Sequence, residues 1–277
     1  MNRRNLMAVT VLTLGLTLAA CSPGDNPEPQ TTGQAKVVLT DAPASEAESL
    51  LVTFGRIELI PAGGDDADRV VVAEDGGSFD VLTLRNGTLA DLGVADVPVG
   101  AYAQVRVIVD EATIDFDDGN DPYDVFVPSG AQTGLKIDVN PPLVVEEGST
   151  STVILDFDAD RAVVETPPGS TNYNLVPTGI RAVAQAEAGV VAGVVADEAM
   201  AAVGDAAVTV YPAGETEAVA MTTTEADGGF QFVALLEGTY DLEVSMAGFL
   251  TLLVPNVSVT AGETTNVGAL VLSAIAP

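Results

Sequence analysis

The segment DFDDGNDPYD places Asp115, Asp117, Asp118, Asn120, Asp121 and Asp124 within ten residues around one glycine. Dense hard oxygen donors in a glycine-containing loop are the chemistry of a calcium site. The spacing departs from the EF-hand loop: the glycine comes one position early counted from Asp115, and Phe126 stands where that loop closes with glutamate. A solvated acidic loop is the competing expectation, and calcium at Asp115, Asp117, Asp118, Asn120 and Asp121 is the weaker one. A second acidic set, Asp156, Asp158 and Asp160, alternates with Val153, Leu155 and Phe157 in STVILDFDAD. On a strand these carboxylates share a face with successive side chains about 7 Å apart. Two facing carboxylates are the machinery of a glycoside hydrolase, but a flat strand face is not a cleft. A third set, Tyr211, Phe230, Phe232, Tyr240 and Phe249, supplies rings of the kind that stack on sugars. Most alternate onto apolar faces, so core packing is expected of them. Tyr123 and Tyr173 sit in polar surroundings and are expected nearer the surface.

What is missing excludes more than what is present suggests. The 277 residues contain no histidine, no tryptophan and one cysteine. No Ser-His-Asp or Cys-His system, no histidine-bearing zinc site and no internal disulfide can be built within the chain. No catalytic residue is assigned, no cofactor is expected beyond a covalent lipid, and a non-enzymatic role is expected. With 40 acidic and 10 basic side chains the formal charge is −30, spread along the chain. Such a surface repels phosphate backbones, so nucleic acid is not an expected partner.

The single cysteine has a specific setting. In MNRRNLMAVTVLTLGLTLAAC, Arg3 and Arg4 precede an apolar stretch from Leu6 to Leu18, and Ala19 and Ala20 precede Cys21. A basic start, a short apolar stretch and small residues before a cut are the parts of a secretory signal peptide, and the stretch is short for a membrane span. Leu18-Ala19-Ala20-Cys21 resembles the bacterial lipobox. That resemblance implies cleavage before Cys21 and acylation of Cys21, whose several acyl chains anchor stably where one would not. Removing Arg3 and Arg4 leaves 8 basic against 40 acidic side chains, −32. Ser22, rather than aspartate, after the cysteine favours the outer membrane in a two-membrane cell. The residues that follow, PGDNPEPQTTGQ, have the composition of a flexible tether.

From Lys36 the pattern is that of strands. Runs such as AKVVLT, LLVTFGRIELI, DRVVVAE and SFDVLTL are separated by turn-rich segments. AYAQVRVIVD alternates, with Val105, Val107 and Val109 opposite Gln104 and Arg106. One helical turn is expected near Thr88–Leu92. After AVAQAEAGVVAG the register changes, and about 85 residues of short strands follow. TYDLEVSM sets Tyr240, Leu242, Val244 and Met246 against Asp241, Glu243 and Ser245, and Asp227-Gly228-Gly229 is a hairpin turn.

The pieces VVLTDAPA, VTFGRIEL, VLTLRNG, VPVGAYAQVRVIV, VPSGAQTGLKI and VILDFDADRAVV, in this order, resemble the bacterial lipoprotein domain family DUF4382. The resemblance implies a secreted or surface β-sandwich-like domain and no established reaction. The pieces VAGVVAD, VTVY, TTEADGGFQF, LLEGTYDLEVSMAGF and VSVTAGETTNVGALVL resemble the carboxypeptidase regulatory-like domain, a transthyretin-like sandwich in the carbohydrate-binding-like fold group. Such domains are accessory modules, and the name brings no peptidase activity. The expected architecture is all-β: a signal peptide at residues 1–20, a lipidated cysteine and tether at 21–34, a first β domain at 35–186 and a second at 187–277. The expected function is a cell-envelope lipoprotein that presents two β domains for binding or scaffolding, held to the membrane by its lipid. A glycan is the alternative ligand, an envelope protein the alternative partner, and carboxylate-dependent hydrolysis the weakest reading. The sequons at Asn86 and Asn256 carry little meaning in such a protein.

Overall fold

The structure is a computed structural model that describes residues 31–42, 47–116, 118–128 and 133–275. The signal peptide, Leu18, Ala19, Ala20, Cys21 and the tether up to Gln30 therefore lie outside the described residues.

The first domain runs through β1 (Thr32–Ala42), β2 (Ser49–Pro61), β3 (Val70–Ala73), β4 (Gly77–Asp80), β5 (Ala90–Pro98), β6 (Gly100–Asp115), β7 (Tyr123–Phe126), β8 (Leu135–Val145), β9 (Thr150–Asp158), the short helix α1 (Ala159–Ala162), β10 (Val163–Glu165), β11 (Tyr173–Leu175) and β12 (Ile180–Ala184). These strands form one continuous sheet in the order β10-β11-β7-β6-β8-β12-β9-β1-β5, with β2 pairing β3, β4 and β6 off that path. The sheet folds over a single core that runs from Ala35 to Ala184. Val105, Val107 and Val109 of β6 are buried as its alternation predicts, but the opposite face is covered as well, because Arg106 and Ile108 are also buried. β1 opens at Thr32, so Thr32, Gly33 and Gln34, expected in the tether, are already paired with Pro98, Val97 and Asp96 of β5.

The second domain contains β13 (Ala188–Asp197), β14 (Ala207–Pro212), β15 (Ala220–Thr223), β16 (Gly229–Leu236), β17 (Gly238–Ser245), β18 (Leu252–Val259) and β19 (Thr264–Leu272). It is a sandwich of two sheets, β16-β13-β19 and β15-β14-β17-β18, around its own core of Val191, Val195, Val208, Phe230, Leu242 and their neighbours. Both domains reuse one device that the sequence reading missed. In each, a glycine opens a strand and a tyrosine two residues on points back: Tyr102 donates to Pro98 O and Tyr240 to Leu236 O, both at 2.8 Å. The tie closes the short connection from β5 to β6 and the one from β16 to β17, strands that do not pair with each other, and burial raises both phenol pKa values.

Two expectations are corrected. Thr88–Leu92 is not helical: residues 86–87 make a turn and β5 begins at Ala90. Conversely, STVILDFDAD does not stay a strand to its end. β9 stops at Asp158, which accepts from Arg161 N at 3.2 Å and caps α1. An aspartate followed by Ala-Asp-Arg-Ala is a helix start by its chemistry, and the alternation of the preceding residues hides it. Asp158→Ala is expected to cost about 1 kcal/mol of stability by removing this cap, read as a lowered denaturation midpoint. Burial raises the Asp158 pKa, which subtracts from that loss at neutral pH.

Candidate functional site

The aspartates proposed as an aligned trio are separated by the end of β9. Asp156 remains on the strand and pairs with Arg181 of β12, directly opposite in the register. Asp158 caps α1, and Asp160 lies on α1 itself. Asp156 and Asp158 still belong to β9, but the first is tied to Arg181 and the second to the α1 backbone, so the three do not form a free row of carboxylates. The strand face they were expected to share is largely dry instead: Val38 of β1, Ile154 of β9 and Val183 of β12 are buried against Ala188, Ala234 and Leu236 of the second domain. The hydrophobic runs KVVL, TVIL and RAVA thus read as strands covered on both faces.

Polar contacts fix the same junction. Asn86 sits in the left-handed region at φ 54°, which asparagine tolerates, and its amide uses its full hydrogen-bonding capacity on the second domain. Nδ2 donates to Thr223 O at 2.9 Å and to Glu225 Oε1 at 2.7 Å. Oδ1 accepts from Thr222 Oγ1 at 3.0 Å and from Gln231 N at 3.3 Å. Arg85 adds an ion pair with Glu225 at 3.7 Å. Gly87 follows at φ 80°, and a side chain there would meet Gln231 Nε2 at 2.8 Å. Farther along, Arg161 pairs with Glu217 at 3.0 Å and donates to Ala218 O at 3.2 Å. Between these ties a small cavity of about 20 Å³ is lined by Thr40, Asn86, Asp156, Arg181, Thr222 and Gln231 among others. It is polar and water-sized, and it is no substrate pocket. Asn86, noted in the sequence only as a sequon of little meaning, is the polar centre of the domain junction.

The acidic loop is organised by hydrogen bonds among its own residues. Asp118 accepts from Asn120 N at 2.9 Å and from the Tyr123 hydroxyl at 2.7 Å, and Asn120 Nδ2 donates to the same hydroxyl at 3.1 Å. Asn120 and Tyr123 lower the Asp118 pKa, and Asp118 raises that of Tyr123. Asp115 ends β6 opposite Ser49, and Asp121 is exposed. Asp117 lies outside the described residues. Among the described residues no group of three or more acidic side chains is placed to hold a metal. Tyr123 and Tyr173, expected nearer the surface, are half-buried and pack with Phe116 in a three-ring cluster with centroids 5.4–6.1 Å apart. Their polar sequence neighbours concealed this, because β7 and β11 are short strands lying parallel at the sheet's end. In the second domain Phe230, Phe232 and Tyr240 are buried as expected, while Tyr211 and Phe249 are half-buried.

A concavity remains on the solvent side of β6, β7 and β11. On one edge of β6, β8 pairs as far as Val107 and β7 begins at Thr113. Where the partner strand changes, a groove of about 600 Å³ opens over Val109–Ala112, bordered by Asp124–Val127 and Asn172–Asn174.

The sequence model for the domain of unknown function DUF4382 matches residues 32–177. The chain belongs to the DUF4382 family. Its DUF4382 domain is followed by a carboxypeptidase regulatory-like domain, matched over residues 190–273. The two matches fall in the order expected and meet around residues 178–189, where β12 leads into β13. No functionally curated protein matches this DUF4382 chain. Among solved structures, a type II cohesin–X-dockerin complex from Acetivibrio cellulolyticus is 25% identical over 31% of this chain and 58% of that one, with a TM-score of 0.25. This protein thus spans somewhat over half the length of that chain. The minor pilin of Streptococcus agalactiae is 9% identical over 88% of this chain and 97% of its own, TM-score 0.27. The shaft pilin of Lactobacillus rhamnosus GG is 11% identical over 90% and 99%, TM-score 0.27. These superpositions are loose, and no role of those proteins transfers to this one. The regulatory-like domain is a non-catalytic fold, and with no histidine in the chain the second domain cannot supply a histidine-ligated zinc centre.

Proposed function

We propose that this DUF4382 protein is a non-enzymatic cell-envelope lipoprotein, anchored through acylated Cys21, that presents two joined β domains for binding or scaffolding. The observation that carries the binding half is the junction. An apolar seam and the saturated Asn86 amide hold the two domains as one acidic body, which suits a display platform better than a hinged catalyst. The anchoring half is supported by Leu18-Ala19-Ala20-Cys21 at the end of an apolar stretch that follows Arg3 and Arg4. Among the described residues no helix is long and apolar enough to cross a membrane. The chain from Cys21 to the start of β1 at Thr32 spans at most about 40 Å when fully extended, so the lipid would hold β1 within that distance of the bilayer. Ser22 favours the outer membrane where the cell has two.

Cys21→Ala tests the anchor. The variant is expected to carry no acyl mass and either to be released as soluble protein or to persist as an uncleaved precursor that keeps its apolar stretch. A variant that is cleaved normally and remains in the detergent-extractable membrane fraction would contradict the reading.

A further inference from the structure

The groove over β6, β7 and β11 has a composition that selects a ligand. Strand register settles which side chains share its face. Thr113 pairs with Asp124, and Asn174 pairs with Phe126. Alternation then puts Glu111, Thr113, Asp124, Phe126 and Asn174 on the solvent side, while Ala112, Ile114 and Val125 are buried on the other. Phe126 is 65% exposed, a flat apolar ring presented to water in the middle of a polar surface. Asn174 of β11 lies beside it in the register, Asp124 precedes it by two residues on β7, and Asn172 and, from β6, Glu111 complete the lining. Asn174 Nδ2 donates to Thr166 Oγ1 at 3.2 Å, which fixes the plane of that amide.

We propose that this groove binds a neutral glycan chain, with one sugar ring stacked on Phe126 and its hydroxyls taken by Glu111, Asp124, Asn172 and Asn174. The C–H face of a pyranose is apolar and flat, and it matches an exposed aromatic ring. Vicinal hydroxyls both donate and accept, and they match carboxylates that accept beside amides that do both. The groove lining contains Asp110, Glu111 and Asp124 and no Lys or Arg, so polyuronates and phosphates are repelled. A simple cation is a poorer fit, because the carboxylates are strung along two strands and do not converge: no group of three meets at one point among the described residues. A volume of about 600 Å³ lies in the usual range for small-ligand sites. The site lies on the first domain, although the sequence pointed to the second through its fold group, and the second domain's Phe230, Phe232 and Tyr240 are buried where no sugar can stack on them.

The proposal rests on the reading of this chain as a binding protein, and it is independent of the anchor. Native affinity electrophoresis of the whole mature chain tests it, in gels containing a β-1,3-glucan, a β-1,4-glucan, a galactomannan or starch, with polygalacturonate and labelled oligolysine as contrasts. Retardation by at least one neutral polysaccharide is expected and none by polygalacturonate. Phe126→Ala is expected to weaken the interaction about tenfold or more, and Phe126→Tyr to keep it within about threefold. The ring is exposed, so both variants should fold, and their unchanged denaturation midpoints would show it. Retardation by none of the four neutral polysaccharides, equal retardation of Phe126→Ala, or binding of oligolysine alone would overturn it. A chain acylated at Cys21 that binds no neutral glycan loses this site and keeps the anchor; a glycan-binding chain without acyl mass does the reverse.

Discussion

Glu58→Ala is expected to destabilise the first domain by about 3–5 kcal/mol, the cost of leaving a buried charge without its partner. Of the chain's 10 basic side chains, Arg56, Arg69, Arg106 and Lys136 gather around Glu58 and Asp66. Arg56 Nε and Arg69 Nε approach Glu58 Oε1 at 3.2 and 3.1 Å, and Arg106 Nη1 approaches Oε2 at 3.5 Å. The Glu58 side chain is 2% exposed and that of Arg106 is 7% exposed. Arg106 Nη2 faces Asp66 as an ion pair without hydrogen-bond alignment, and Nε has no hydrogen-bond partner. Asp66 is half-exposed, so Glu58 is the only buried acid that compensates the guanidinium among the described residues. The loop between β2 and β3 folds over this pair and contributes Asp66 and Arg69, so the loss should also loosen that loop. Arg56→Ala, which removes only a half-exposed partner, is expected to cost under about 1 kcal/mol. Chemical denaturation compares the two, and a Glu58→Ala protein as stable as Arg56→Ala would contradict this account. Arg106 and Lys136 hold the Asp66 carboxyl below its ordinary value of 3.8. A lowered acid contributes stability above its unfolded pKa and loses it as pH falls through the folded one. This part of the network therefore holds at neutral pH and fails only below about pH 4.

The second large effect concerns how the two domains are held. Asn86→Asp should uncouple them. The substitution replaces the Nδ2 donor with an acceptor that faces Thr223 O and the Glu225 carboxylate, both of which now accept from Asn86. It introduces like-charge repulsion where there were two hydrogen bonds, each worth about 1 kcal/mol net and more when a charged group is involved. The apolar seam of Val38, Ile154, Val183, Ala188 and Ala234 is small, so it should not compensate. Limited proteolysis is expected to cut faster near residues 185–187, between β12 and β13, with each domain keeping its own denaturation transition. Unchanged cleavage there would show that the seam alone joins the domains.

Much of the architecture was legible in the sequence. Alternation in AYAQVRVIVD and TYDLEVSM marked β6 and β17, and the two family resemblances appeared in the order in which the family models match. The failures have particular causes. DFDAD alternates as a strand does, and only the capping chemistry of Asp158 betrays that β9 ends there. Asn86 stood out in the sequence only as a sequon, with a helical turn expected after it. Its value lies in partners about 137 residues away, which no local pattern encodes. Tyr123 and Tyr173 looked exposed because their neighbours are polar, yet β7 and β11 bring both rings onto Phe116. Phe126 drew notice only for standing where a calcium loop would have a glutamate. Its exposure became visible once the register of β7 against β11 placed Val125 inward and Phe126 outward.

The anchoring of this protein rests on Cys21 being the acylated first residue of the mature chain. The direct measurement is the mass of the N-terminal peptide from protein extracted out of native membranes. A peptide that begins at Cys21 and carries diacylglyceryl or triacyl mass is the predicted result. A peptide that extends upstream of Cys21, or one that begins at Cys21 with a free thiol, would contradict it.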